Sequence, residues 1–302
     1  MKFHEIIKNT HIDFIGMRNK TFIFSAVLII LGCVAFVMVS MGKANLSVDF
    51  TGGTNLHLRF QEKMGIGDLR SALMDNGMHD VQIQEVSGTN EFLLKTKLSD
   101  TDKEKVQDRI HQILSTHLQG KKYDVMESNM VGSMVGKTLK QNAIIAIIFS
   151  LVGIIIYIWV RFNFVFGIAA TIATFHDVIV MLGVFFILGR EMNILFITAL
   201  LTIAGYSLTD TVVVYDRIRE NMLKMKVKSD LGAVINASIN EVLSRTIITS
   251  MTVALVIAAL LVLGGRVLFD FSLALFIGVF IGTYSSIFVA SPIIFLWRKK
   301  IR

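Results

Sequence analysis

Six stretches of this chain run for 20 residues or more without a lysine, arginine or glutamate, and they decide what it can fold into. A hydrocarbon core of about 30 Å is crossed by about 20 helical residues, each rising ~1.5 Å. The gaps between Lys20 and Lys43, Lys140 and Arg161, Arg161 and Arg190, Glu191 and Asp216, Arg245 and Arg266, and Asp270 and Arg298 all reach that length. The expected spans are 21–42, 141–160, 164–188, 193–215, 246–264 and 271–297. They leave room for one modest extramembrane domain, at 43–140. A mean hydropathy of +0.63 with 18% charged residues agrees, because a soluble domain needs more charge to solvate its surface. The first span is too long and too deep in the chain for a cleaved signal peptide, so it is expected to stay as an anchor.

Basic residues set the orientation. With the N-terminal segment 1–20 and the tail 298–302 placed in the cytoplasm, fifteen lysines and arginines fall on the inner side. The two short outer loops hold only Arg190 and Arg266, and 43–140 balances 13 basic against 13 acidic residues. The net charge of +7 therefore reports inward-facing loops, and a nucleic-acid partner is not expected. Cys33 is the sole cysteine and lies in the first span, which excludes an intrachain disulfide and a Cys-rich metal site.

Between the first two spans the hydrophobic period changes. Segments 55–60, 81–86, 91–97 and 123–130 alternate as strands, and 66–75 has helical spacing. Asp100 or Thr101, with Glu104, is expected to cap a second helix burying Val106, Ile110, Ile113 and Leu114. The order is βαββαβ, an α+β ferredoxin-like arrangement. No nucleophile and base constellation occurs in it, so an enzyme is not expected. The predicted fold is thus an α-helical polytopic membrane protein. Its six transmembrane helices carry one such extracytoplasmic domain between helices 1 and 2.

An ionisable side chain at mid-membrane costs on the order of 2.5–3.5 kcal/mol and marks a functional site by default. Asp210 lies on a stripe spaced by four, Thr198, Thr202, Tyr206 and Asp210, suited to lining a wet path. Arg245 stands at the mouth of the fifth span, with Thr249 continuing its face. An arginine reaching inward from there is expected to meet Asp210, and protonation of Asp210 would release it. His176 and Asp177 lie in the third span. Counting from the flanking charges puts Asp177 up to ~24 Å from the inner surface and Asp210 ~9 Å from it, so direct contact is not expected. Consecutive side chains on a helix point about 100° apart, so a bond between His176 and Asp177 is not implied by their adjacency. The alternative role for Asp177 is helix glue. Gly278, Gly282, Ser286 and Ala290 form a small-residue stripe that permits close helix approach.

Several runs carry a family resemblance. Val48-Asp49-Phe50-Thr51-Gly52-Gly53-Thr54, the block from Gly205 to Asn221, the block from Asn240 to Thr246, Leu263-Gly264-Gly265 and Ala290-Ser291-Pro292 occur in order along the chain. Together they resemble the SecD/SecF family of bacterial protein-export subunits in the resistance-nodulation-division superfamily. The resemblance implies a multi-pass protein of the bacterial inner membrane forming half of a transporter-like unit, with SecD as the other half. It implies use of the proton motive force for late preprotein translocation and release at the SecYEG channel, with SecA acting indirectly and a YajC/YidC-type membrane subunit nearby. Asp210 and Arg245 match its embedded acid and arginine. Asp49, Phe50, Gly52 and Gly53 form its signature turn, which paired glycines let the backbone make. No cofactor or metal is implied. The competing expectations are a structural assembly factor of the translocase, without proton conduction, and half of a small-molecule exporter.

Overall fold

A computed structural model describes residues 10–41, 45–79, 81–85, 89–96, 105–117, 121–224 and 230–301. The chain divides into two compact units, 46–145 and the combination of 1–45 with 146–302.

The smaller unit contains strands β1 (Gly53–Phe60), β2 (Gln82–Glu85), β3 (Glu91–Thr96) and β4 (Tyr123–Val131). Between them lie helices α3 (Ile66–Met74) and α4 (Lys105–His117), and ahead of β1 the short helix α2 (Val48–Thr51). The sheet order is β2-β3-β1-β4 with every described pair antiparallel, so the βαββαβ order of elements is the one expected. Alternation along β1 and β3 sends Leu56, Leu58, Phe60, Phe92 and Leu94 to one face. There they meet Leu69 and Leu73 of α3 and Ile110, Ile113 and Leu114 of α4. The opposite face carries His57, whose Nε2 lies 2.9 Å from Glu91, and Arg59, which reaches the same carboxylate at 2.7 Å. The expected cap at 100–104 lies outside the described residues.

The signature turn has a steric reason. Ser47 caps α2 by accepting from the Asp49 amide, and the chain then passes through Gly52 at φ 70° and Gly53 at φ 138° into β1. A Cβ on Gly53 would stand 2.3 Å from the Thr96 carbonyl oxygen, and one on Gly52 2.8 Å from the Ser133 Cα. Only glycine fits both conformation and contact. Phe50 is buried beside this turn.

The larger unit contains α1 (Arg18–Ser40), α6 (Phe164–Ile187), α7 (Ile194–Lys224), α8 (Leu231–Leu263), α9 (Gly265–Ser285), a π-helical segment (Ser286–Ala290) and α10 (Ser291–Ile301). Helix α5 (Ser133–Arg161) crosses the boundary between the units. Six helical stretches are long and apolar enough to span a bilayer, and the protein is a multi-pass membrane protein. The helices outrun the spans expected from charge gaps. Helix α8 starts at Leu231 rather than 246, capped by Asp230 on the Gly232 amide, and α7 continues to Lys224. Charge gaps measure the apolar crossing; the extra turns are amphipathic helix held by packing. Ile235, Ile239 and Leu243 of that early part of α8 are buried against Phe14 and Ile15 of the N-terminal segment. Asn236 and Asn240 bond the backbone of Ile15 and Ile12 there.

Glycines set how close the helices come. A Cβ on Gly32 of α1 would lie 2.2 Å from the Ile179 carbonyl of α6. One on Gly282 of α9 would lie 2.8 Å from Ser207 Cβ of α7, and one on Gly278 2.5 Å from Ile203. The small-residue stripe of the last span thus packs α9 onto α7. The π-helical segment ends just before Ser291 and Pro292, where a proline lacks the amide an α-helix needs.

Candidate functional site

Helices α6, α7, α8 and α9 enclose a belt of buried polar groups, and each acid has its own part of it. Asp177, on α6, is 1% exposed. Its Oδ2 accepts from Ser207 of α7 at 2.5 Å and from Ser285 of α9 at 2.8 Å. Its Oδ1 lies 3.0 Å from His176 Nδ1. Adjacency therefore does bring His176 and Asp177 together, because the rotamers of the two side chains close the 100° gap. Two hydroxyl donors on one oxygen suit a carboxylate. Among the described residues His176 Nε2 is buried without a hydrogen-bond partner. The glue reading of Asp177 matches this geometry, since its partners lie on two neighbouring helices.

Asp210, on α7, is 6% exposed and is held more loosely. Its Oδ2 takes long bonds of 3.4 Å from Ser250 of α8 and Thr283 of α9. Those two hydroxyls lie 2.6 Å apart, and Tyr206 donates to Ser250 at 3.4 Å. The expected Asp210–Arg245 contact is not made: Arg245 is exposed, and among the described residues no ion pair joins it to Asp210. Arg245 stands midway along α8 on its exposed side, and needs a helix rotation or shift to point its guanidinium inward.

The stripe spaced by four also needs correction. Each step of four residues turns 40° past a full circle, so Thr198 and Asp210 are about 120° apart around α7. Thr198 and Thr202 face outward with their hydroxyls on the carbonyls of Ile194 and Thr198. Thr249 likewise faces outward and bonds Arg245 O. Of the expected path-lining residues, only Tyr206 reaches the polar belt.

The depths of the acids differ less than counting suggests. Asp177 bonds Ser207, which is three residues or about 4.5 Å of rise from Asp210. Their other partners, Thr283 and Ser285, are two residues apart on α9. The count from Arg161 starts on α5: α6 begins at Phe164, and Asp177 stands 13 residues, or about 19.5 Å of rise, along it. The carboxylates themselves share no partner, as expected of groups not in direct contact: Ser207 and Ser285 serve Asp177, and Ser250 and Thr283 serve Asp210. The residues that sequence reasoning missed are Ser207, Ser250, Thr283 and Ser285. Isolated hydroxyls on apolar helices carry little signal, but the run Thr283-Tyr284-Ser285-Ser286 is four polar residues in a row within an apolar span. No cluster of three or more His, Cys, Asp or Glu able to hold a metal occurs among the described residues.

Residues 111–300 match the family model described as protein export membrane protein SecD/SecF, C-terminal. The protein translocase subunit SecF of Thermodesulfovibrio yellowstonii is 47% identical over 297 residues, covering 98% of each chain. The protein translocase subunit SecF of Desulfurispirillum indicum is 39% identical, covering 96% of this chain and 93% of its own. Among solved structures, SecDF from Thermus thermophilus, a translocon-associated membrane protein, aligns with a TM-score of 0.84 at 37% identity over 99% of this chain. SecDF in its super-membrane-facing form aligns with a TM-score of 0.69. This chain spans 40% of the length of either SecDF chain.

Proposed function

This chain belongs to the SecD/SecF family as a SecF-type translocase subunit, and from that premise we propose that it couples proton entry to late preprotein translocation and release. In this reading it is a non-enzymatic subunit of the bacterial inner membrane with both termini cytoplasmic. It assembles with a SecD-type partner, works at the SecYEG channel after SecA-driven pushing, and neighbours a YajC/YidC-type subunit. The shortness of this chain beside SecDF supports the need for a partner half.

The observation that carries the proposal is the Asp210 carboxylate, inside the bundle and held only by long bonds from two hydroxyls. A charge so weakly anchored can change state without dismantling the fold. Deprotonated, it orders Ser250 and Thr283 and attracts Arg245 from the same helix as Ser250. Protonated, it loses the attraction for Arg245 and holds the two hydroxyls less strongly, and α8 is released toward a second arrangement. One proton crossing a potential of 100 mV releases about 2.3 kcal/mol, enough to bias two arrangements of similar energy.

The test is gradient-dependent preprotein release from proteoliposomes containing the subunit with its SecD-type partner and the channel. Asp210→Asn is expected to abolish the gradient-dependent part with the complex intact; equal release by wild type and variant would refute the switch. A second reading, a structural assembly factor without proton conduction, is favoured by the Asp177 knot. It predicts loss of the SecD-type partner on detergent co-purification of Asp210→Asn.

A further inference from the structure

Three consecutive side chains of α9 each bond different helices. Thr283 Oγ1 reaches Asp210 of α7 at 3.4 Å and Ser250 of α8 at 2.6 Å. Tyr284 OH donates to the Thr21 carbonyl of α1 at 2.9 Å and lies 3.0 Å from Ser25 Oγ. Ser285 Oγ donates to Asp177 of α6 at 2.8 Å. A helix turns about 100° per residue, so three successive positions spread over about 200° of its circumference, and here each of the three carries a polar contact to a neighbouring helix. Directly after the triplet the α-helix gives way to the π-helical segment Ser286–Ala290, where Ser291 Oγ bonds the Ser286 carbonyl. Such interruptions change helix direction at modest cost and recur at functional sites.

We propose that Thr283, Tyr284 and Ser285 are positioning residues that transmit the state of Asp210 to α1 and α6, pivoting on the π-helical segment. The inference rests on Asp210 being the proton switch. The groups facing Asp210 are Ser250 and the charge of Arg245 from α8, Thr283 from α9, and Tyr206 from its own helix. From α6, Asp177 is bonded by Ser207 of α7 and Ser285 of α9, each within a turn of Asp210 or of its partner Thr283 along its helix. Thr283 is thus the direct link from Asp210 to α9. Ionised Asp210 holds the Thr283 hydroxyl with a charge-assisted bond; neutral Asp210 keeps only the weaker acceptor of its carbonyl, and α9 can rotate about the pivot. Tyr284 then carries that rotation to α1, because its hydroxyl bonds the α1 backbone and its ring lies 5.6 Å from Phe24.

The experiment places spin labels at Val27→Cys on α1 and Phe280→Cys on α9, both exposed, in a Cys33→Ser background of the complete membrane complex. Distances are read in the unmodified protein, in Asp210→Asn, in Thr283→Val and in these two combined, with Thr283→Ser and Tyr284→Phe (alone and with Asp210→Asn) as controls. Asp210→Asn is expected to redistribute the distances by about fivefold in population, the scale of one hydrogen bond. Thr283→Val should give the same redistribution, with no further change in the combined variant. Thr283→Ser, which keeps the hydroxyl, should restore the unmodified distribution, and Tyr284→Phe should uncouple the labels from Asp210→Asn. Additive effects of Thr283→Val and Asp210→Asn would overturn the proposal. So would an Asp210→Asn that stops gradient-dependent release while leaving the distances unmoved, and this outcome spares the proton-switch reading. Unchanged release together with unchanged distances would overturn both, the switch first.

Discussion

Asp177 and Asp210 sit within a few turns of one another in the same bundle, yet their surroundings differ in kind. Around Asp177 three groups, one from each of three helices, close in at 2.5 to 3.0 Å, and the residue is 1% exposed. Around Asp210 two hydroxyls stand at 3.4 Å, and Arg245 of α8 is exposed. Removing an acceptor from a tight site strands its donors, whereas a loose site tolerates the loss. The difference teaches which acid is built to stay and which to change. Partner count and distance separate the two; burial alone does not, since both are buried.

The largest effect expected from breaking this comparison is at Asp177. Asp177→Ala leaves two serine hydroxyls and an imidazole buried without this acceptor, and should cost about 3–5 kcal/mol of stability, the scale of removing one member of a buried polar cluster. Thermal unfolding of the complex in detergent, with co-purification of the partner subunit, measures it. A wild-type melting profile would erase the distinction between the acids. Next comes the packing that brings α9 to α7. Gly282→Val places branched carbon against Ser207, the serine that serves Asp177, and overpacking of this kind costs about 1–3 kcal/mol. It should lower stability in the same assay and disturb Asp177 before Asp210. Asp210→Asn should lie well below these, within about 1 kcal/mol of wild type in stability, because it keeps shape and gives up only long bonds.

Smaller still is the N-terminal segment. Asp13 bonds the Gly16 amide and Asn236 of α8, which holds its carboxyl below the ordinary aspartate range. A depressed folded pKa means the contact contributes above the unfolded value and is lost as pH falls through the folded one. Hydrogen exchange at Gly16 should therefore stay protected at neutral pH and rise only below the usual aspartate pKa. Asp13→Asn should raise it at neutral pH while leaving both buried acids unaffected.

Much of the architecture was legible because charge spacing is a direct measure of membrane crossing. The six spans, the alternating strands and the βαββαβ order follow from period and from where lysines and arginines stop. The amphipathic start of α8 was not legible from charge gaps, since the gap that marks the fifth span opens only after Arg245, and the bonds of Asn236 and Asn240 to Ile15 and Ile12 that hold the earlier turns are not visible in sequence. At the site, Asp177, His176 and Asp210 were visible as ionisable groups in apolar runs. Their partners were not, because a serine on an apolar helix looks the same whether it bonds its own turn, as Ser238 does with Val234, or a neighbour's acid, as Ser207 does. The stripe from Thr198 to Asp210 misled for a geometric reason, the 40° drift at every fourth residue.

The most direct measurement of the central claim compares Asp177→Asn and Asp210→Asn side by side, in proteoliposomes with the partner subunit and the channel, under an imposed proton gradient. Preprotein release and the amount of intact complex are read from the same samples. The account predicts that Asp210→Asn keeps the complex and loses gradient-dependent release, while Asp177→Asn loses complex and release together. An Asp210→Asn that releases preprotein as the wild type does, or one that falls apart as Asp177→Asn should, would contradict it.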